Sequence, residues 1–375
     1  MPLNVAVVGA GPAGLYVAYL LKRRQSGARV RVFEQNAPDA TFGFGVVFSD
    51  RALEFLRDDD PDTYAAITPK MESWADVELH HPGGIVRIDG VGFSAIGRLE
   101  LLGLLRERAH AVGIAPEYDR RVASLESLDD ADLIVGADGV NSLVRDTQAT
   151  AFGSSVVSLT NRFAWYGTTK RFERLTQTFV RTDHGVYNAH HYRYSPNMST
   201  FIVEADAATF ERAGLIRMNA TDTKTHLEHV FAQALDGHEL ISNRSMWRNF
   251  PKVRNQHWYV GNRVLLGDAL RTLHFSIGSG TRLALEDAIA LADALHEHPR
   301  DFPAALAAYE QARRPVADKL IAAADASADW YERFGEHMAL APLDFAMSYI
   351  TRSGRVDHAR LRQLSPRFMA AYEAR

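Results

Sequence analysis

The chain has 375 residues, with 42 Lys+Arg against 46 Asp+Glu and a formal net charge of −4 at pH 7. It contains no cysteine, which excludes a disulfide scaffold, a thiolate metal site and a Cys-nucleophile enzyme. A hydrophobic fraction of 46% excludes a disordered chain, and the near-neutral charge gives no reason to expect a nucleic acid partner. At roughly 150 residues per domain, the length predicts two to three domains.

Residues 1–35 predict a βαβ unit. Asn4 to Val8 reads as a strand, Leu15 to Leu21 as a helix, and Arg29 to Phe33 as a second strand. The uncharged run over 3–21 resembles a membrane span, but glycines and a proline interrupt it and basic residues follow it. We therefore expect a cytoplasmic protein without a membrane segment.

A glycine motif lies at the turn between the first strand and the helix. Gly9, Gly11 and Gly14 satisfy G-x-G-x-x-G, which permits a tight turn, close approach of the backbone to a pyrophosphate, and close helix–strand packing. The helix N-terminus then directs free N–H groups at the phosphates. Glu34, 20 residues after Gly14, can accept hydrogen bonds from ribose hydroxyls, which favours FAD or NAD over NADP. The cofactor-binding residues predicted here are Gly9, Gly11, Pro12, Ala13, Gly14, Glu34 and Gln35.

Further elements follow the helical and strand periods. The chain predicts strands over 132–135 and 263–266, and helices over 97–112 and 281–295. Residues from about 74 to 93 and from 156 to 204 are rich in Val, Thr and aromatic residues with glycine turns, which predicts strands of one antiparallel sheet. Residues 206–236 and 302–375 are predicted to be mainly helical.

Together these elements predict an α/β fold. A Rossmann-like dinucleotide-binding domain is interleaved with an antiparallel β-sheet substrate domain and followed by a helical C-terminal segment. The predicted boundaries are 1–72, 96–152 and 254–300 for the first domain, 73–95 and 153–253 for the sheet domain, and 301–375 for the helical segment.

Two more strand ends carry an aspartate, at Asp138-Gly139 and at Gly267-Asp268, and Gly278-Ser279-Gly280 follows the second. In this order and spacing they resemble the fingerprints of the flavoprotein aromatic hydroxylases, the para-hydroxybenzoate hydroxylase class. The resemblance implies FAD in a GR2-type domain, with Asp268 on its ribityl chain and Arg98 near its diphosphate. N–H groups of the glycine-rich helix start would stabilise negative charge on the flavin. The further FAD-binding residues so implied are Val46, Val47, Arg98, Val122, Asp138, Asp268, Gly278, Ser279 and Gly280.

The resemblance narrows to one subgroup. Residues 42–49, 265–269, 274–281, 286–288, 343–346 and 351–355 are similar to the enzymes that act on salicylyl-CoA and anthraniloyl-CoA. Residues 165–167, 248–250 and 274–276 are shared with the tryptophan hydroxylase of violacein biosynthesis. Two departures stand out, because Ala269-Leu270-Arg271 replaces the common Ala-Ala-His and Phe275-Ser276 replaces the usual proline.

The resemblance implies a single-component FAD-dependent aromatic monooxygenase that uses NAD(P)H and O2 through a flavin C4a-hydroperoxide. Its most specific implication is 5-hydroxylation of salicylyl-CoA, para to the ring hydroxyl. FAD would be held without a covalent bond, NAD(P)H would visit transiently, and no metal is required. A hydroxylase of an indole or another free aromatic, a flavin dehydrogenase or oxidase without oxygen insertion, and a non-catalytic flavin- or nucleotide-binding protein stay open. The oligomeric state is also open.

Substrate contacts are expected on the predicted strand over 187–194. Such contacts would accept a proton or hydrogen bond from a ring hydroxyl or amino group and raise electron density on the ring. Alternation places Asn188, His190, Tyr192 and Tyr194 on one face and Tyr187, His191 and Arg193 on the other, without deciding which face lines the cavity. The catalytic candidates are His190 and His274, which lies beside the flavin glycines, and the substrate-binding candidates are Tyr187, His191 and Tyr192.

Overall fold

The computed structural model describes residues 2–41, 43–49, 52–299 and 301–375, so Phe42 of the 42–49 motif lies outside the described residues. Its strands are β1 (Asn4–Val8), β2 (Arg29–Phe33), β3 (Gly45–Ser49), β4 (Glu72–Trp74), β5 (Val77–His81), β6 (Gly84–Ile88), β7 (Phe93–Gly97), β8 (Leu133–Gly136), β9 (Ser154–Thr168), β10 (Leu175–Thr182), β11 (Gly185–Ser195), β12 (Met198–Ala205), β13 (Leu240–Ser242), β14 (Arg248–Asn255), β15 (Tyr259–Val260) and β16 (Arg263–Leu265). Its α-helices are α1 (Pro12–Arg24), α2 (Glu54–Asp59), α3 (Pro61–Ile67), α4 (Arg98–Ala111), α5 (Leu143–Asp146), α6 (Ala149–Phe152), α7 (Ala207–Arg212), α8 (Ala220–Val230), α9 (Ala232–Leu235), α10 (Gly267–Leu270), α11 (Gly280–Glu297), α12 (Phe302–Glu332), α13 (Phe334–His337), α14 (Pro342–Thr351), α15 (His358–Leu364) and α16 (Pro366–Glu373).

The predicted βαβ unit is confirmed as β1, α1 and β2. It belongs to a sheet of order β15-β16-β8-β1-β2, in which β16, β8, β1 and β2 are parallel and β15 is antiparallel to β16. Two glycines allow the close packing at its start. A Cβ on Gly14 would lie 1.9 Å from the carbonyl oxygen of Gly9, and one on Gly9, which has φ +99°, would lie 2.3 Å from that of Ala137. A side chain at either position would therefore separate α1 from the strand ends.

A second sheet has the order β13-β9-β12-β11-β10-β5-β6, and β14 also pairs with β9. Its pairs are antiparallel except that β5 and β10 are parallel. A third sheet has the order β3-β7-β4 and packs against β11 of the second sheet. Segments 73–95 and 153–253 both contribute strands to the second sheet, while the predicted boundaries after residues 72, 95 and 253 fall inside β4, β7 and β14. The predicted domain boundaries stay a proposal.

Helices cover the two faces of the second sheet. On one face, the C-terminal helices pack Trp330, Phe334 and Phe345 against Phe179 of β10. On the other face, α7, α8 and α9 enclose a separate core that contains Tyr187 of β11. The C-terminal segment, which the sequence predicts to be helical, therefore covers the face of the second sheet that contains Phe179.

Arg271, which replaces the common histidine, lies in the core. Its guanidinium pairs with Asp287 of α11 and stacks over the ring of Trp258, 4.4 Å from the ring centre. The other oxygen of Asp287 accepts from Nε of Arg313 on α12, at 2.8 Å. The substitution thus ties the cofactor-side helix α11 to the long helix α12.

We predict that Asp287→Asn lowers the free energy of unfolding by about 3 kcal/mol or more, because Arg271 would be left buried without a counter-charge. Urea unfolding monitored by circular dichroism measures the loss. As control, Glu373→Gln removes the partner of Arg362 from a pair whose side chains are 58% and 48% exposed, and it should cost less than about 1 kcal/mol. Equal losses in the two variants would contradict the prediction.

Candidate active site

A cavity of about 480 Å³ opens where the carboxyl ends of β1, β2 and β8 meet the N-terminus of α1. Among the described residues, no side chain caps α1 and no atom lies within 4 Å of a Cβ built on Gly11, so an anion can approach the first turn of the helix. Of the residues predicted from the sequence, those that line this cavity are Gly9, Gly11, Glu34, Gln35, Arg98, Val122 and Asp138. Pro12, Ala13 and Gly14 form the first turn of α1 behind it.

Two of these carboxylates hold the backbone around the cavity. Glu34 accepts hydrogen bonds from the backbone N–H of Ala10 at 2.9 Å and from the side-chain amide of Asn36 at 2.7 Å. Asp138 accepts from the hydroxyl of Ser142 at 2.5 Å and from the N–H of Leu143 at 2.7 Å, and burial raises its pKa. Glu34 therefore fixes the glycine turn, and Asp138 shapes the loop that leads into α5.

A second cavity, of about 220 Å³, adjoins the first, and Arg98 lines both. One wall of the second cavity is formed by Val46, Val47, Arg98, Asp268, Gly278, Ser279, Gly280 and Thr281. The N-terminus of α11, an 18-residue helix, also lines the second cavity, and no side chain in the described part of the chain caps it. All the FAD-binding residues predicted from the second and third motifs thus lie on one connected trough.

Arg98 and Asp268 carry the main charges of the second cavity. Within the described ranges, neither side chain has a hydrogen-bond or ion-pair partner. The Asp268 side chain is exposed to this cavity and that of Arg98 is partly exposed. Desolvation by the surrounding protein raises the pKa of Asp268, although Arg98 opposes that shift, and desolvation lowers the pKa of Arg98.

The trough fits FAD. A diphosphate can approach the open backbone at Gly11 and the guanidinium of Arg98, and Asp268 offers its unused oxygens to ribityl hydroxyls. The N–H groups at the start of α11 face the part of the cavity where the flavin's negative edge would lie.

The large sheet forms the opposite wall of the second cavity. Its side chains, with those of neighbouring segments, are Phe93, Phe163, Trp165, Leu175, Gln177, His190, Tyr192, Ile202, Phe250, Phe275 and Tyr349. This wall is mostly aromatic and has few polar groups. The hydroxyl of Tyr192 donates to the carbonyl of Gly45 at 3.2 Å, which holds β3 against the sheet.

His190 and Tyr192 reach the cavity, but Tyr187 and His191 do not. Tyr187 shares a hydrogen bond with His226 of α8 at 3.0 Å, and the ring of His191 stacks on Phe201 with ring centres 5.0 Å apart. Both belong to the core under α7–α9. The prediction that Tyr187 and His191 bind substrate is therefore corrected, because the C-terminal helices leave the cavity on the other face of β11.

His274 also lies outside the cavity wall. It is buried, its Nδ1 is 2.8 Å from the hydroxyl of Ser276, and its ring packs against Phe250 with centres 5.0 Å apart. Burial lowers its pKa to about 4. Its neighbours Phe275 and Ser276 line the cavity instead, so the catalytic prediction for His274 is corrected: its position beside the glycines does not aim its ring at the cavity.

Sequence reasoning missed Gln177 and Glu204. The Nε2 of Gln177 donates to Nδ1 of His190 at 2.8 Å across the β10–β11 pair. Glu204 lies on β12, diagonally across from His190. Strand alternation could have placed each on a face, but only the register between distant strands brings them to His190.

No group of three or more His, Cys, Asp or Glu residues in the described ranges is arranged to hold a metal ion. Among the helices that the structure describes, none has the length and apolar content needed to cross a membrane.

Comparison with known proteins agrees with this site. The chain matches the model of an FAD binding domain over residues 108–324 and that of an NAD(P)-binding Rossmann-like domain over 7–39. It is 44% identical to salicyloyl-CoA 5-hydroxylase from a Streptomyces species, over 94% of this chain and 70% of that protein. It is 36% identical to 3-hydroxy-4-methyl-anthranilyl-(aryl-carrier protein) 5-monooxygenase of Streptosporangium sibiricum, over 94% and 95%. It is 32% identical to protodeoxyviolaceinate monooxygenase of Chromobacterium violaceum, over 93% and 94%.

Solved structures share the fold. A 2-methyl-3-hydroxypyridine-5-carboxylic acid oxygenase superposes with a TM-score of 0.72 at 19% identity, covering 94% of this chain and 96% of that one. Because the chain matches the FAD binding domain model over more than half of its length and is 44% identical to a salicyloyl-CoA 5-hydroxylase, it belongs to the family of FAD-binding aromatic hydroxylases. It is an FAD-dependent aromatic monooxygenase that uses NAD(P)H, as the sequence resemblance implied.

We predict that Gly11→Ala lowers FAD affinity at least about tenfold, because the added methyl group projects where the diphosphate approaches. Flavin absorbance per protein and equilibrium dialysis measure the loss. Gly103→Ala on α4 is the matched control, since its Cβ also meets no protein atom within 4 Å but lies away from the trough. Undiminished FAD binding by the Gly11 variant would refute this placement of the diphosphate.

Proposed function

We propose that this monooxygenase hydroxylates an aryl-CoA thioester, salicyloyl-CoA, at the position para to its ring hydroxyl. The observation that carries the proposal is the shape of the site. The aromatic cavity of about 220 Å³ adjoins a third cavity of about 660 Å³, and the two share Phe163, Phe250, Asp268 and Leu273. The aromatic cavity, which is the second cavity described above, accepts a ring, and the third cavity accepts a long substituent. The 44% identity to salicyloyl-CoA 5-hydroxylase supports the same substrate.

The third cavity suits a pantetheine arm. Its walls include Ser158 and Asn249, and the hydroxyl of Ser158 and the side-chain oxygen of Asn249 can pair with the amides of such an arm. Val156, which is 52% exposed, lines its outer part. The arm would therefore run from the ring toward solvent.

FAD, once bound and reduced by NAD(P)H, supplies the activated oxygen atom for the ring. The protein orients the ring between aromatic side chains and keeps water from the site, which suppresses wasteful peroxide release. Gln177 and His190 are the polar groups of the sheet wall that can interact with the ring hydroxyl. A hydrogen bond from that hydroxyl raises electron density on the ring and favours attack on electrophilic oxygen.

A carrier-protein thioester is a second candidate substrate. The relative that is 36% identical acts, by its name, on an aryl group carried by a carrier protein, which also presents a long arm. Free aromatic substrates are a third possibility, since the chain is 32% identical to protodeoxyviolaceinate monooxygenase. O2 as co-substrate follows from the family, while a cytoplasmic location stays a prediction.

The direct experiment uses purified, FAD-loaded protein with salicyloyl-CoA, salicylate and an indole acid in parallel. We expect NAD(P)H oxidation to be stimulated by the thioester, with product hydroxylated para to the existing hydroxyl. Product from a free aromatic but not from the thioester would overturn the proposed substrate. NAD(P)H oxidation that yields only peroxide with every substrate would favour an oxidase.

A pair of tryptophan variants tests the arm. Val156→Trp should obstruct the outer part of the third cavity and raise KM for salicyloyl-CoA roughly tenfold with little change in kcat, because only binding of the arm is weakened. Val157→Trp is the matched control, since Val157 is 61% exposed and does not line the cavity. Steady-state kinetics measure both, and equal KM values in the two variants would argue against an arm in this cavity.

A further inference from the structure

A buried histidine and a buried glutamate face each other beneath the aromatic cavity. Nε2 of His190 lies 3.7 Å from Oε2 of Glu204, and the two side chains are 6% and 3% exposed. Neither atom has a hydrogen-bond partner among the described residues. Register explains the approach, since β11 and β12 pair Asn188 with Glu204 and His190 with Ile202, which makes the two residues diagonal neighbours on one face.

The hydrogen bonds around the pair run in one direction. The hydroxyl of Tyr331 donates to Oε1 of Gln177 at 3.3 Å, and Nε2 of Gln177 donates to Nδ1 of His190 at 2.8 Å. The ring proton of His190 is then on Nε2 and points toward Glu204. The other oxygen of Glu204 accepts from Nδ2 of Asn161 at 2.9 Å. Both sides of the network therefore end on the carboxylate of Glu204.

Burial and the surrounding charges determine whether His190 or Glu204 holds a proton. Burial lowers the pKa of His190 to about 3, and Arg352 beyond α14 adds to that shift. Burial raises the pKa of Glu204, opposed by His274 and by the hydrogen bond from Asn161 and reinforced by Glu332 at the end of α12. Glu204 therefore holds an incoming proton better than the imidazole does.

We propose that His190 relays the proton of the substrate's ring hydroxyl to Glu204. The hydroxyl displaces the Gln177 amide at Nδ1 of His190. Its O–H bond breaks as an N–H bond forms at Nδ1, while the Nε2–H bond breaks and an O–H bond forms at Oε2 of Glu204. The imidazole ends neutral in its other tautomer, Glu204 ends protonated, and the substrate is left as an electron-rich phenolate. This inference rests on the proposed function and identifies the group that stores the proton.

The relay is tested on FAD-loaded protein with salicyloyl-CoA and no NAD(P)H, so that no turnover occurs. Ultraviolet absorbance of the bound ligand against pH reports its phenolate fraction. We expect the midpoint of phenolate formation in Glu204→Gln and in His190→Gln to lie about one pH unit or more above that of the unmodified protein. At a given pH below the midpoint, the phenolate fraction of the bound ligand would then be about tenfold lower. Glu204→Asp, which keeps a carboxyl group, should show a smaller upward shift of the midpoint than Glu204→Gln.

Infrared difference spectra give an independent readout. Ligand binding should produce the band of a protonated carboxyl group in the unmodified protein and not in Glu204→Gln. His191→Gln and Glu228→Gln are controls, since both residues lie on the other side of the sheet. They should leave the midpoint and the band unchanged. An unshifted midpoint in Glu204→Gln, or a band that persists in it, would overturn the relay.

Failure of the relay can be told apart from failure of the proposed function. If salicyloyl-CoA does not bind, the proposed substrate is wrong, and the same titration is made with phenol, which needs only the aromatic cavity. A shifted phenol midpoint in Glu204→Gln would then support the relay alone. Absence of binding by both probes would overturn both proposals.

Discussion

Charged groups that line an open trough are the constraint on which this structure depends. Among the described residues, Arg98 and Asp268 line the second cavity without a hydrogen-bond or ion-pair partner, and no described side chain caps the N-termini of α1 and α11, which reach the trough. Asp268 is exposed to this space and Arg98 is partly exposed, so both are available to a bound dinucleotide. Binding of the dinucleotide to the folded state also stabilises the fold by mass action. Retention of FAD and stability of this region are therefore linked.

The two faces of the large sheet have different roles, since one packs into a core and the other lines the cavity. One face carries Tyr187 and His191 into an ordinary core beneath α7–α9, where they have only structural contacts. The other carries His190 and Tyr192 to the cavity, beneath the C-terminal helices. A slip of one residue in the register of β11 would exchange these sets. The polar network around His190 is fully specified only in the observed register, because Gln177 and Glu204 must meet the same ring.

Local patterns were sufficient to predict residues that line or adjoin the trough, while their binding of FAD stays a prediction. The glycine spacing, Glu34 and the strand-end aspartates each sit where one short segment determines the backbone, so they could be placed without knowing the rest of the fold. The substrate half could not be predicted in this way. Which face of β11 lines the cavity depends on helices more than 100 residues further along the chain, such as the one that carries Tyr331. His274 was misplaced for the same reason, since nearness in sequence to the glycines does not set the direction of its ring.

The C-terminal segment links the substrate wall to the cofactor wall through Arg352. Its Nη2 donates to the carbonyl of Ser276 at 3.0 Å, and its guanidinium lies over the ring of Tyr349, 3.9 Å from the centre. Tyr349 and Ser276 both line the second cavity. Arg352 is planar, so it can contact the ring of Tyr349 with its face while its N–H groups bind the backbone at Ser276. That backbone leads directly to Gly278 and the start of α11, so one side chain of the C-terminal segment contacts both the aromatic wall and the segment that the sequence assigns to the flavin.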